Sequence, residues 1–124
     1  MARNNYFNTG DHFSEWHRTI PGVGYVDLDS LPICIHCKKV LAVIETAFDV
    51  GQTFKATTVT EEVATALKVP ALLVLYTPGT TLNEIISIRY KRLVPVKDKE
   101  FSQMWSEEFK EFFHKLQNSC GCQA

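Results

Sequence analysis

The sequence has no basic surplus. Thirteen lysines and arginines stand against fourteen aspartates and glutamates, for a formal net charge of −1. A sequence-blind nucleic-acid binder draws most of its affinity from phosphate contacts and carries excess positive charge, so that class does not fit. Nor is there an apolar run near the ~18 residues of a membrane-spanning helix, which argues against a spanning segment. The opening residues, Met1-Ala2-Arg3-Asn4-Asn5, lead into Tyr6 and Phe7 without the apolar stretch of a secretory signal. A cytoplasmic protein is the expectation. Internal repeats and low-complexity segments are absent, and no nucleophile motif surrounds Ser14 or the histidines.

What is present suits one folded domain over residues 1–124: apolar residues make up 45% and charged residues 22%, ordinary values for a globular chain. Residues 1–11 read as a loose polar lead, and 118–124 as a cysteine-bearing tail. Phe13, Trp16 and Ile20 suggest a short helix over 12–19. Strands are expected near 24–33 and 40–47. Thr58-Val59-Thr60-Glu61 has capping-box form, so a helix starts near Val59 and stops before Val69-Pro70. Ala71-Leu72-Leu73-Val74-Leu75-Tyr76-Thr77 is uniformly apolar, as in a buried central strand following a helical crossover. A further strand spans 85–96. Asp98 is expected to cap a long helix reaching Gln117, with Phe101, Met104, Trp105, Phe109, Phe112, Phe113 and Leu116 as its apolar stripe. The expected fold is α/β, a small mixed β-sheet flanked by helices.

Two of these strands carry acids. Asp27 and Asp29 share a face because strand side chains alternate, and Glu45 interrupts the apolar Val40-Leu41-Ala42-Val43-Ile44. Paired as a hairpin, the strands bring carboxylates together, an arrangement suited to a hard divalent cation. A carboxylate is costly to bury alone, so Glu45 calls for a partner.

The succession Glu15-Trp16-x-Arg18, Asp27-Leu28-Asp29 and Leu41-Ala42-Val43-Ile44-Glu45 resembles the PD-(D/E)XK, or restriction-endonuclease-like, nuclease superfamily, in particular its small phage-encoded members. The resemblance covers about residues 12–77 and implies an αββαβ core, here with an added strand and a C-terminal helix. It implies a metal-dependent phosphodiesterase of phage or mobile-element type acting on DNA or another nucleic acid. Asp29 (or Asp27), Glu45 and the backbone carbonyl of Thr46 would hold Mg or Mn, with Glu15 in support. The motif lysine two residues after the second acid is Ala47 in this chain. Lys55 is the nearest lysine able to take its place, and Gln52 is a candidate to orient water. Without a replacement, the fold would serve as an inactive binding module for nucleic acid or a host protein. Paired cuts would call for a homodimer.

Four cysteines form two short pairs, Cys34-x-x-Cys37 and Cys120-x-Cys122, each able to supply half of a tetrahedral zinc site. A shared structural zinc requires the chain end to fold back onto the 34–39 turn. His36 or His114 are alternative ligands. Arg89, Lys91 and Arg92 form the one local basic cluster able to meet a nucleic-acid backbone.

Overall fold

The computed structural model describes residues 11–24 and 28–122. The expected loose lead through residue 10, Asp27 and the last two residues of the tail lie outside them. The elements in chain order are α1 (Asp11–Arg18), β1 (Val43–Phe48), α2 (Thr58–Leu67), β2 (Ala71–Pro78), β3 (Ile85–Val94), β4 (Ser102–Trp105) and α3 (Ser106–Ser119).

The strands form one mixed sheet in the order β1-β2-β3-β4. β1 and β2 run parallel, with Glu45 opposite Leu73. The other neighbours are antiparallel. The parallel pair requires a crossover, and α2 supplies it. Helices cover both faces of β2, which explains why Ala71 through Leu75 are all buried and why no polar residue breaks that run.

Alternation along the strands divides the core in two. Val43, Leu73, Leu75 and Leu93 pack with Ala64 of α2 on one face. Ile44, Leu72, Val74 and Ile88 pack with Phe109 of α3 on the other. Glu45, two positions beyond Val43, therefore belongs to the α2 face.

Two expectations about the elements are corrected. The stretch expected as a strand near 24–33 is, in its described part, an arm joined to the sheet by isolated antiparallel bridges, Ser30 with Ile44 and Ile33 with Val40. The 40–44 side holds one residue more between those bridges than the 30–33 side, and such a bulge interrupts the ladder. Pro32 has no amide to donate, and Leu28, Leu31 and Ile33 remain exposed. The second correction concerns the expected long helix. Asp98 does not cap it. Its carboxylate accepts the Arg92 amide at 2.9 Å and pairs with the Arg92 guanidinium at 2.8 Å. Residues 102–105 add to the open edge of β3 as β4, and α3 begins only at Ser106, where Glu108 Oε1 accepts the Trp105 amide at 2.9 Å. Phe101 packs on the α2 face and Met104 on the α3 face, the alternation of a strand.

The capping residues of α2 also shift by one. The N-cap is Thr57, and its hydroxyl donates to Glu61 Oε2 at 2.6 Å. No helix among the described residues is long and apolar enough to cross a membrane.

Candidate functional site

β1 is an edge strand, and its backbone groups alternate between β2 and open space. The Val43 amide donates inward to Pro70 O, whereas the Ile44 amide donates outward to Ser30 O. The Thr46 amide also faces outward, and its partner is a side chain: it donates to Asp29 Oδ2 at 2.9 Å. The Asp29 carboxylate thus continues the ladder one step beyond the Ser30–Ile44 pair. A strand residue's N–H and C=O point the same way, so the Thr46 carbonyl faces this same edge.

Glu45 lies beside it. The Thr60 hydroxyl, buried on α2, donates to Glu45 Oε1 at 2.7 Å. Lys55 Nζ stands 3.0 Å from Oε2. The intervening loop folds on itself: the Gly51 amide donates to Asp49 Oδ1, the Val50 amide to Gln52 Oε1, and Gln52 Nε2 to Phe48 O. Gly51 has φ +83°, a left-handed conformation that glycine adopts without steric cost. Arg89 clamps this loop with two hydrogen bonds to Asp49 at 2.8 Å and one to Gln52 O at 2.9 Å. That closure turns Lys55 back over β1.

Burial pushes the Glu45 carboxyl up. Hydrogen bonds from Thr60 and Lys55, the charge of Lys55 and a hydrogen bond with Asp29 outweigh it, and hold Glu45 below its ordinary value. Asp29, Glu45 and Lys55 thus converge from the arm, β1 and the loop before α2.

The remaining residues singled out in the sequence are placed as follows. Glu15 pairs with Arg18 at 3.5 Å on α1. Gln52 spends both side-chain polar atoms inside its own loop. Arg89 is committed to Asp49 and lies over the Phe101 ring at 4.7 Å. Lys91 lies over the same ring at 4.8 Å, and Arg92 pairs with Asp98.

The four cysteines meet. Their sulfurs all lie within 4.8 Å of one another, with Cys34 to Cys122 at 3.5 Å and Cys37 to Cys120 at 3.6 Å. Sulfurs ~2.3 Å from a tetrahedral zinc are about 3.8 Å apart, so this set can hold a metal ion of that kind. The first pair sits in a tight knuckle: Lys38 N donates to Cys34 O and Cys34 N to Lys39 O, while Lys38 takes φ +69° to close the turn. The second pair follows α3, whose Gln117 reaches the knuckle. Its Nε2 donates to Cys34 Sγ at 3.2 Å, and its Oε1 accepts the Ile35 amide at 2.8 Å.

The Cys37 amide and the Gln117 amide, aimed at Cys34 Sγ, pull that thiol down to about 5 against the effect of burial. Cys122, beside Cys34 and Cys120, is pushed up to about 12. A cluster that already favours one thiolate and strains to ionise another is suited to a cation. Among the described residues it is the one group of three or more Cys, His, Asp and Glu gathered closely enough to hold a metal ion.

No family model matches this chain, and neither a curated protein nor a solved structure matches it. Nothing local in the sequence marks Thr60, Asp49 or Gln117 as part of these sites. Thr60 sat inside a capping-box pattern that explained it locally, and Asp49 and Gln117 carry no local signal of partners so distant in sequence.

Proposed function

We propose that this chain is a metal-dependent phosphodiesterase of the restriction-endonuclease-like type, with Lys55 in the role of the missing motif lysine. The observation that carries the reading is the Lys55 ammonium 3.0 Å from Glu45, with the Asp29 carboxylate hydrogen-bonded to the neighbouring Thr46 amide. An acid, a second acid and a lysine are thereby gathered at one strand edge despite Ala47.

Asp29, Glu45 and the Thr46 carbonyl would hold Mg or Mn, leaving the rest of the coordination sphere to water, as Mg²⁺ prefers. The metal supplies an acidified water and neutralises charge on the phosphate. Lys55, freed from Glu45 by the cation's charge, would stabilise the negative charge developing on the scissile phosphate and hold the attacking water. Thr60 would keep Glu45 turned toward the edge. The Cys34, Cys37, Cys120 and Cys122 set would hold zinc as a structural ion, because four sulfurs leave no open position.

The test is incubation of the purified chain with single- and double-stranded DNA and RNA in Mg²⁺ or Mn²⁺. Cleavage that Glu45→Gln and Asp29→Asn each abolish supports the reading. Cleavage that survives both substitutions, or no cleavage of any of these substrates, refutes it.

A second reading is a zinc-stabilised binding module without catalysis, for nucleic acid or a host protein. It is favoured by the internal partners of Arg89 and Arg92, which commit two of the three cations of the local basic cluster to carboxylates.

A further inference from the structure

The four-cysteine cluster and the acid edge occupy opposite ends of the same arm. From the knuckle toward the acids the links run in sequence: Cys34 N to Lys39 O at 2.8 Å, Leu41 N to Pro32 O at 2.8 Å, the Ser30–Ile44 pair at 3.2 and 2.9 Å, then Thr46 N to Asp29 Oδ2. Among the described residues, few other contacts hold the arm down. Leu28, Leu31 and Ile33 are exposed, while Cys34, at the knuckle, is fully buried. A segment with few buried apolar contacts opens at low cost unless it is anchored. The anchor here is the cysteine cluster, whose other half comes from the chain after α3, with Gln117 bridging the Cys34 sulfur and the Ile35 amide.

We propose that the metal-bound cysteine cluster is the positioning device for Asp29: occupancy of the four sulfurs holds the arm against β1 and so keeps the Asp29 carboxylate on the Thr46 amide beside Glu45. Cys34, Cys37, Cys120, Cys122 and Gln117 are then positioning residues for the acid edge. Loss of the metal frees the knuckle from the chain end, the arm lifts, and Glu45 and Lys55 remain on the sheet without Asp29. Binding energy at the sulfurs and order at Asp29 are reciprocal, because coupling between two sites acts equally in both directions. This inference rests on the zinc reading of the cysteines and needs no catalytic activity.

The experiment is amide hydrogen exchange on the full chain, with zinc content measured by elemental analysis before and after chelation. In the zinc-loaded protein the Thr46 and Ile44 amides are protected. After zinc removal they exchange at least about tenfold faster, while Leu73 and Leu75 of β2 keep their protection. Unchanged Thr46 exchange in verified zinc-free protein overturns the coupling. A chain that takes up no zinc overturns the metal reading beneath it. If removal unfolds β2 as well, the reciprocal measurement decides. Competition with a chromophoric chelator should show Asp29→Ala binding zinc roughly five- to tenfold more weakly than the parent, with Glu107→Ala, on the exposed side of α3, unchanged. Equal affinity of Asp29→Ala and parent refutes the proposal.

Discussion

Lys55 closes on Glu45 from a loop that Arg89 holds in place, and the two charged groups meet 3.0 Å apart on the α2 face of an edge strand. The pair resolves the cost of a carboxylate inside an otherwise apolar strand. It also sets a lysine beside the second acid from a different segment than Ala47.

Replacing Lys55 by Met keeps the stem and removes the charge. Glu45 then loses a hydrogen bond and a counter-charge, and burial drives its carboxyl upward. The sign follows from linkage. In the parent, Glu45 lies below its ordinary value, so it contributes stability above the usual carboxylate range that is lost as pH falls through its folded value. In Lys55→Met that contribution shrinks or reverses. Carboxyl-carbon NMR titration should show the upward shift, and the proposed nuclease activity should fall about 100-fold with the fold intact by circular dichroism.

The Asp49–Arg89 clamp predicts an acid limb of stability. Hydrogen bonds from Arg89, then the Gly51 amide, hold Asp49 down to about 2. Its contribution is complete above the ordinary aspartate value near ~4 and is lost as pH falls toward the folded value. Asp49→Asn should flatten the pH dependence of urea midpoints in that window. At neutral pH it should cost about 1–2 kcal/mol, the scale of a charged hydrogen bond in a partly exposed setting. Because the clamp holds the loop that carries Lys55, the same variant should reduce the proposed activity without removing it.

Phe109 tests the second core. It is the buried residue of α3 and packs with Tyr90, Phe112 and Phe113 at ring separations of 5.9, 5.5 and 5.2 Å. Phe109→Ala should destabilise the domain by ~3–5 kcal/mol, measured by chemical denaturation, and expose α3 to proteolysis.

Chelation tests the cysteine centre as a stabiliser. A ligand at about 1,000 times its dissociation constant adds about 4 kcal/mol to stability. Zinc removal should therefore lower the thermal midpoint by many degrees. Cys120→Ser should reproduce that loss, and zinc added back to the variant should restore little of it.

Local pattern made part of this architecture readable. The run from Ala71 to Tyr76 identifies a central strand because only a doubly covered strand tolerates such uniform apolarity, and β2 is that strand. The helix after Thr57 was readable but its inner face was not: helical spacing points to Val59, Val63, Ala66 and Leu67, whereas Thr60 and Ala64 are the buried residues of α2 and Val59 and Leu67 are exposed. Elements whose form depends on a distant partner were not readable. Residues 102–105 carry a helical stripe, yet the free edge of β3 recruits them as β4. The arm near 24–33 alternates like a strand, but its bulge and Pro32 leave only isolated bridges. Among the site residues, the acids and cysteines declare themselves by type and spacing. Thr60, Asp49 and Gln117 are ordinary polar residues whose significance lies in partners 15, 40 and 83 positions away.

The most direct measurement is a crystal structure of the chain soaked in Mn²⁺, read by anomalous scattering. The account predicts an ion bound at ~2.2 Å to oxygens of both Asp29 and Glu45, with the Thr46 carbonyl in its shell and Lys55 displaced from Glu45. Saturating Mn²⁺ that leaves this edge empty, with Lys55 still paired to Glu45, would contradict it.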